Sequence, residues 1–121
     1  MKVVGLMSGT SADGVDAALV SIVRKASRLD VEMGAFYSLS YPRSLQQRLL
    51  SASVSGTVAE LCHLNALLGE WFADAALGAI RAAQLKTEEV DLIGSHGQTV
   101  HHLPNGIRDK GVGSIPSTLQ I

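Results

Sequence analysis

The sequence predicts an α/β subdomain whose mixed sheet begins with three antiparallel strands and packs against two helices. Two apolar runs, Lys2 to Met7 and Val15 to Val23, flank a short polar turn, which is the pattern of a β-hairpin. Val31 to Ser40 alternates apolar and polar residues with the period of a third strand. Three strands that follow one another closely in sequence are expected to pair as an antiparallel meander.

Two helices are predicted after the third strand. Ser44 with Gln47 has the pattern of a capping box, so a short helix is expected from there to about Ser53. Thr57 with Glu60 repeats the pattern and begins the longest expected element. The residues expected on the buried face of this second helix are Leu61, Leu64, Leu68, Phe72 and Ala75 or Ala76.

The last third of the chain is predicted to return to the sheet. Val90 to Gly94 is expected to form a buried, parallel strand of the sheet. Pro104 to Ser117 is expected to form a loop, because it is rich in glycine, proline and charged residues. Another strand is expected to start at Thr118. Because the chain ends at Ile121, within that predicted strand, we expect residues 1–121 to be the N-terminal portion of a longer, two-domain protein.

Composition limits the classes of function. The chain has 121 residues, enough for one core, and a net charge of −1 with no cluster of basic residues, which argues against nucleic acid and acidic membranes as partners. Its single cysteine, Cys62, fits a reducing compartment and is expected to be a small buried hydrophobe on the long helix. No apolar run is long enough for a membrane span, so a cytoplasmic location is expected.

The turn between the first two strands carries the first candidate site. Glycines allow a ligand to approach the backbone, whose N–H groups then face an anion, and the hydroxyls of Thr10 and Ser11 suit phosphate oxygens. Asp13 and Asp16 fit such a site only if a divalent cation lies between carboxylate and phosphate, as Mg²⁺ does in nucleotide sites. The residues of this predicted Mg-nucleotide site are Gly9, Thr10, Ser11, Ala12, Asp13, Gly14, Val15 and Asp16.

An ordinary solvated turn has the same composition, and composition alone favours it. The segment is not a Walker A loop, because no Gly-Lys-Ser/Thr follows, nor a dinucleotide-binding fingerprint, because a strand rather than a helix follows. A phosphate-binding hairpin that opens a three-strand meander is the arrangement of the actin, Hsp70 and sugar kinase fold, which is ribonuclease H-like.

A second polar cluster follows the strand predicted at Val90 to Gly94. Its hydroxyl, amide and imidazole groups suit a polyhydroxylated ligand such as a sugar, which needs both donors and acceptors. A zinc site is the competing interpretation, but no cysteine or carboxylate accompanies His96, His101 and His102 at ligand spacing. The residues predicted to lie near the sugar are Ser95, His96, Gly97, Gln98 and Thr99.

Together the clusters resemble the 1,6-anhydro-N-acetylmuramic acid kinases, a family of bacterial cell-wall recycling. The resemblance is carried by Gly5 to Asp16, by Ser95 to Thr99 with His102 and Pro104 after it, and by Thr118 to Ile121. It covers the whole chain, and the chain covers about the first third of such an enzyme.

The resemblance implies a kinase that uses ATP and Mg²⁺ to open the 1,6-anhydro bridge of its amino-sugar substrate hydrolytically and to phosphorylate the 6-oxygen. The implied products are N-acetylmuramic acid 6-phosphate and ADP. It places Asp13 nearest the metal and Ser95 to Thr99 in or beside the interdomain cleft, and it implies a possible homodimer. The carboxylate that activates the attacking water is expected beyond Ile121, so no catalytic base is assigned here, and residues 1–121 alone are predicted to be inactive.

Two other classes of function stay open at this point. A non-catalytic ATP-binding regulator or chaperone-like module of the same fold would share the hairpin but has no need for Ser95 to Thr99. A stand-alone metal-binding or interaction domain would explain the high apolar content, 46% with twelve glycines besides, as an interface.

Overall fold

Five strands and two helices form a sheet with one helical layer, and the computed structural model describes all 121 residues. The strand order is β3-β2-β1-β4-β5, in which β1 and β4 are parallel and every other neighbouring pair is antiparallel. The expected α/β fold class, a mixed sheet that starts with a three-strand antiparallel meander as in the actin, Hsp70 and sugar kinase fold, is confirmed. The elements are β1 (Lys2–Ser8), β2 (Gly14–Lys25), β3 (Arg28–Ser40), α1 (Arg43–Ser55), α2 (Val58–Ala82), a 3₁₀ turn (Thr87–Glu89), β4 (Leu92–Asp109) and β5 (Gly113–Gln120).

The core lies between the two helices and the inner face of β1 and β2, and half-buried residues of β3 pack against it. Alternate strand residues such as Val4, Val15 and Ala17 point into it, as period-two strands require. From α2 the predicted residues Leu64, Leu68, Phe72, Ala75 and Ala76 are buried, whereas Leu61 is only half-buried. None of the helices has the length and apolar character that crossing a bilayer requires.

The two predicted helix starts have different outcomes. Thr57 caps α2 as expected, because its side chain accepts a hydrogen bond from the Glu60 N–H at 3.1 Å. The capping box predicted at Ser44 is wrong, because α1 already begins at Arg43, with Pro42 at the cap position and no side-chain cap. The fixed φ of proline suits it to a helix start, and the Pro42 carbonyl accepts the first helical hydrogen bond.

Two burial predictions are wrong. Cys62 is exposed, because it lies two residues before Leu64 and therefore about 200° around the helix from the buried face. β4 is parallel to β1 as expected, but it begins at Leu92 rather than Val90, and Leu92 and Ile93 are 53% and 52% exposed. Both side chains line an open cavity between β4 and α2, because α2 packs closely against β1, β2 and β3 but not against β4.

The loop predicted from Pro104 to Ser117 is also wrong, because these residues belong to the β4–β5 hairpin, whose turn spans residues 110–112. Ile107 pairs with Ile115, and an irregularity between Leu103 and Ile107 accommodates the proline and glycine there. Proline and glycine are tolerated at bulges and edge strands, so their abundance does not exclude a strand. The strand expected at Thr118 is confirmed as part of β5.

Candidate nucleotide and sugar site

The two predicted clusters lie at the same edge of the sheet. β1 and β4 are neighbouring parallel strands, so the loop after β1 and the middle of β4 adjoin at the carboxyl end of β1. We call Gly9–Asp13 the hairpin loop and Ser95–Thr99 the β4 segment.

The hairpin loop is held by its carbonyl groups. Three of its backbone oxygens accept hydrogen bonds from β4, from the start of α1 and from the residue that follows β3. These bonds run from Gln98 Nε2 to Gly9 O at 2.7 Å, from Gln46 Nε2 to Ser11 O at 3.2 Å and from the Tyr41 N–H to Asp13 O at 2.9 Å. Three other parts of the chain therefore hold the loop through its carbonyl oxygens, and these bonds use none of its backbone N–H groups.

Most backbone N–H groups of the hairpin loop are free. Those of Gly9, Thr10, Ser11 and Asp13 donate to no other atom of the chain, and only the Ala12 N–H is used, donating to Gly9 O at 3.2 Å. Ala12 adopts a left-handed φ of 50°, the conformation that gathers successive N–H groups into an anion-binding concavity. The phosphate interpretation requires such free donors, but an ordinary solvated turn has them too, so the phosphate site stays a prediction.

A cleft of about 420 Å³ lies beside the loop on the outer face of the sheet. Both predicted carboxylates line it: Asp13 accepts a hydrogen bond from Ser11 Oγ at 2.8 Å, and Asp16 accepts one from the Ser38 hydroxyl. The residues of this hairpin cleft are Met7, Gly9, Ser11, Asp13, Gly14, Asp16, Ser38 and Ser40. Of the predicted nucleotide-site residues, Ala12 and Val15 are instead buried in the core.

Sequence reasoning missed Ser38 and Ser40, which β3 contributes to the cleft. They pair across the strands with Asp16 and Gly14, so their side chains share the face of the carboxylate. Their signal was present in the sequence, because serines two residues apart in the predicted third strand lie on one face. The antiparallel register of β2 and β3 was needed to place that face beside Asp16.

The glycine that begins the hairpin loop and the glycine that follows it have different roles. A Cβ on Gly14 would lie 2.5 Å from Leu39 O, so the close approach of β3 requires this glycine. A Cβ on Gly9 would meet nothing closer than Ser11 Oγ at 3.9 Å. Gly9 therefore leaves open space that a ligand can use, whereas Gly14 serves the fold.

The oxygen atoms of the hairpin cleft fit a shared magnesium site. No group of three histidine, cysteine, aspartate or glutamate residues is close enough together to hold a metal ion by itself. Mg²⁺ usually takes one or two carboxylates and completes its six ligands with phosphate oxygens and water. Asp13 and Asp16 beside four free N–H donors match that pattern of shared ligation.

The β4 segment is a strand with a bulge rather than a loop. Leu6 pairs with Ser95 and Ser8 pairs with Gln98, so β4 contains one more residue than β1 between these pairs. Gly97 adopts φ +75°, and a Cβ there would lie 2.9 Å from Ile121 O. The bulge therefore needs glycine, and it brings Gln98 onto the inner face beneath Ser8.

Gln98 and Ser8 form a buried polar contact. Both side chains are almost inaccessible, at 0% and 2% exposure. Gln98 Nε2 donates to Gly9 O and to Thr99 O, while its Oε1 lies 2.6 Å from Ser8 Oγ. The single Ser8 proton is shared between Gln98 Oε1 and Gly14 O as alternative acceptors.

Tyr41 lies beneath the same contact. Its hydroxyl donates to Ser8 Oγ across 3.5 Å, and its ring packs edge-on against Trp71. Burial raises the pKa of Tyr41, the nearby Asp13 charge adds to the rise, and the hydrogen bond with Ser8 opposes it. The phenol is therefore neutral at physiological pH and acts as a donor.

The other residues of the β4 segment are more accessible than Gln98. Ser95 Oγ accepts from the Gly97 N–H at 3.1 Å and lines an apolar cavity of about 270 Å³ between β4 and α2. His96 is exposed and lies 2.8 Å from Gln120 Nε2. This cavity shares no lining residue with the hairpin cleft, so contact of the segment with a sugar stays a prediction.

The three histidines of the zinc interpretation do not converge. His101 Nδ1 lies 2.7 Å from Ser53 O, and His102 Nδ1 lies 2.7 Å from Thr118 Oγ1, while His96 contacts Gln120. Each ring is engaged with a different part of the chain. The structure therefore gives no support to a shared zinc ion.

The sequence matches the family described as anhydro-N-acetylmuramic acid kinase over residues 1–121. It is 50% identical to the anhydro-N-acetylmuramic acid kinase of Caldanaerobacter subterraneus subsp. tengcongensis over 121 residues, covering 98% of this chain and 30% of the relative. It is 40% identical to that of Bacillus thuringiensis subsp. konkukian, covering 100% of this chain and 31% of the relative. It is 45% identical to that of Synechococcus elongatus, covering 86% of this chain and 27% of the relative. The chain thus spans about 30% of the length of these relatives, and it belongs to the anhydro-N-acetylmuramic acid kinase family.

Proposed function

We propose that residues 1–121 supply the nucleotide-phosphate side of the active-site cleft of a sugar kinase. The whole enzyme would open 1,6-anhydro-N-acetylmuramic acid hydrolytically and phosphorylate its 6-oxygen with ATP, giving N-acetylmuramic acid 6-phosphate and ADP. The observation that carries this proposal is the hairpin loop, which keeps four backbone N–H groups free beside two carboxylates. Family membership supports the proposed substrate class.

The hairpin loop would bind the ATP phosphates with the N–H groups of Gly9, Thr10, Ser11 and Asp13. Hydrogen-bond donors that are already in place before ATP binds suit phosphoryl transfer, because its catalysis depends mostly on positioning and on stabilising charge. Asp13 and Asp16 would hold Mg²⁺ together with phosphate oxygens. When bound, the ion neutralises negative charge on the phosphate groups.

The β4 segment would face the sugar with its accessible polar residues. Ser95, His96 and Thr99 are available for such contacts, whereas the Gln98 amide is used internally. Family membership, rather than an enclosed pocket, supports this assignment.

The catalytic base is expected outside residues 1–121, on a second domain that closes over the cleft. Asp13 and Asp16 are engaged with Ser11 and Ser38 and are assigned here to the metal. Because phosphoryl transfer depends on positioning between two closing halves, we expect residues 1–121 alone to show no kinase activity.

The nucleotide assignment is tested by calorimetry of the full-length protein with Mg-ATP, Mg-ADP and ATP in EDTA. Asp13→Asn should weaken Mg-ATP binding by about tenfold or more, because it removes a charged ligand of the metal. Asp74→Asn is the matched control, since Asp74 is an exposed carboxylate on α2. Equal binding by both variants, or binding that does not need magnesium, would contradict the proposed site.

The kinase assignment needs a separate assay. Full-length protein should release ADP from Mg-ATP only when the anhydro-sugar is added. Binding of Mg-ATP without sugar-dependent ADP release would favour the alternative, a non-catalytic ATP-binding module of the same fold.

A cytoplasmic location and a homodimer complete the proposal, and both belong to the full-length protein. Light scattering on that protein measures the oligomeric state, and cell fractionation measures the location. A monomer would remove the homodimer from the proposal without affecting the nucleotide site.

A further inference from the structure

We propose that Gln98 is a positioning residue that joins the β4 segment to the hairpin loop, so that the two sides of the active site are held in one fixed relation. This inference rests on the proposed function, because it assigns the loop to phosphate. In this inference Gln98 acts by donating a hydrogen bond to the Gly9 carbonyl, which holds the hairpin loop, and it does not contact a ligand.

The first argument is the bulge in β4. Regular alternation from Ser95 would put Gln98 on the opposite face of the sheet from Ser95. The extra residue reverses this and brings Gln98 to the inner face, in register with Ser8. Keeping the bulge requires Gly97 at positive φ, which indicates that the chain maintains a demanding backbone conformation at this position.

The second argument is where the amide hydrogen bonds end. One N–H of Gln98 reaches Gly9 O at 2.7 Å, at the start of the hairpin loop, and the other returns to Thr99 O at 3.0 Å. The Gln98 backbone also exchanges two hydrogen bonds with Ile121, at 2.7 and 3.0 Å. One residue therefore fixes the hairpin loop, β4 and the segment after β5 to one another.

The third argument is chemical. The position needs two donors and one acceptor on the same planar group, and among side chains of this length only a glutamine amide supplies them. A glutamate would place a carboxylate against two carbonyl oxygens, and a methionine would make none of the bonds. The side chains of Gln98 and Ser8 are almost inaccessible to solvent and each of their polar atoms has a partner within reach, so losing part of the contact leaves buried groups unpaired.

The test compares Gln98→Met with Ile80→Ala in the full-length protein. Ile80 is buried near the C-terminal end of α2, beside the start of β4 and away from the hairpin loop. The Ile80→Ala change should therefore lower stability without altering a contact of the loop. Mg-ATP affinity should fall roughly tenfold in Gln98→Met and stay within about twofold of native in Ile80→Ala. Ser8→Ala, which removes the other side chain of the contact, should weaken binding, and adding it to Gln98→Met should weaken binding little further.

Hydrogen exchange without nucleotide separates this inference from the proposed function. The Ala12 and Tyr41 N–H groups, which bond within and beneath the hairpin loop, should exchange faster in Gln98→Met than in Ile80→Ala. If native protein binds no Mg-ATP, the proposed function fails while the exchange comparison still tests the link. Equal exchange rates in Gln98→Met and Ile80→Ala would overturn the role proposed for Gln98. Equal losses of Mg-ATP affinity in the two variants would overturn it as well. If Gln98→Met does not fold, Ser8→Ala against Ile80→Ala gives the same comparison.

Discussion

The hairpin loop and the β4 segment have similar compositions, yet their polar groups are used in opposite ways. Both are short, glycine-bearing and rich in hydrogen-bonding groups, and both adjoin the carboxyl end of β1. The hairpin loop has its carbonyl groups bound from inside and its N–H groups free. The β4 segment buries its amide and uses it to hold the hairpin loop.

The difference shows that polar composition after a strand does not by itself identify ligand contacts. The N–H groups of Gly9 and Thr10 remain available because the loop makes only one internal backbone hydrogen bond, from the Ala12 N–H to Gly9 O. The Gln98 amide is unavailable because a one-residue bulge places it over the core. Which polar groups stay free for a ligand depends on strand register and hydrogen bonding, and not only on which groups are present.

The largest expected effect tests the core that supports both regions. Leu68→Ala should lower the free energy of unfolding by about 2–5 kcal/mol, because Leu68 is 1% exposed between α2 and the sheet. Chemical denaturation of the full-length protein measures this loss. Mg-ATP affinity of the folded variant should change little, and an effect on stability below about 0.5 kcal/mol would contradict the packing of α2.

The next effect tests the bulge. Gly97→Ala should destabilise the fold by about 2–4 kcal/mol. Alanine is strained at the left-handed φ of this residue, and its Cβ would lie only 2.9 Å from the Ile121 carbonyl oxygen. Thermal and chemical unfolding give the measurement. Gly94→Ala is the matched control in the same strand, since a Cβ there has nothing within 4 Å. Equal stability of the two variants would mean that the bulge is not required.

A smaller effect tests the open side of the hairpin loop. Gly9→Ala should leave stability nearly unchanged, because the added methyl group enters free space. It should weaken Mg-ATP binding by about tenfold, because the methyl group occupies space beside the free donors. Calorimetry measures the affinity, and unchanged binding would place the phosphate away from Gly9.

The smallest effect concerns Tyr41 and pH. Tyr41→Phe removes one long hydrogen bond and should cost less than about 1 kcal/mol at neutral pH. Because burial raises the pKa of Tyr41, the unfolded chain loses this proton first as pH rises. The stabilisation by the neutral phenol is therefore full below about pH 10 and is lost above it. Unfolding measured from pH 8 to 11 should decline less steeply in Tyr41→Phe than in the native protein.

Much of the fold could be predicted because it depends on local patterns. The apolar runs of β1 and β2, the alternation of β3 and the three-to-four spacing of Leu64, Leu68 and Phe72 identified both sides of the core. The Thr57 cap was predicted for the same reason, since its hydrogen bond spans only three residues. The predictions for Cys62 and for Pro104 to Ser117 failed because helix phase and strand pairing decide those positions.

The hairpin loop, its two carboxylates and the family were therefore determined by the sequence itself, because a run of adjacent residues carries their chemistry. The outer-face serines of β3, the bulge at Gly97 and the buried bond from Gln98 to Gly9 were decided only by tertiary structure. Each depends on the register between strands distant in sequence. A shift of one residue in that register exchanges the two faces of a strand, so residue types alone cannot predict which polar groups remain free.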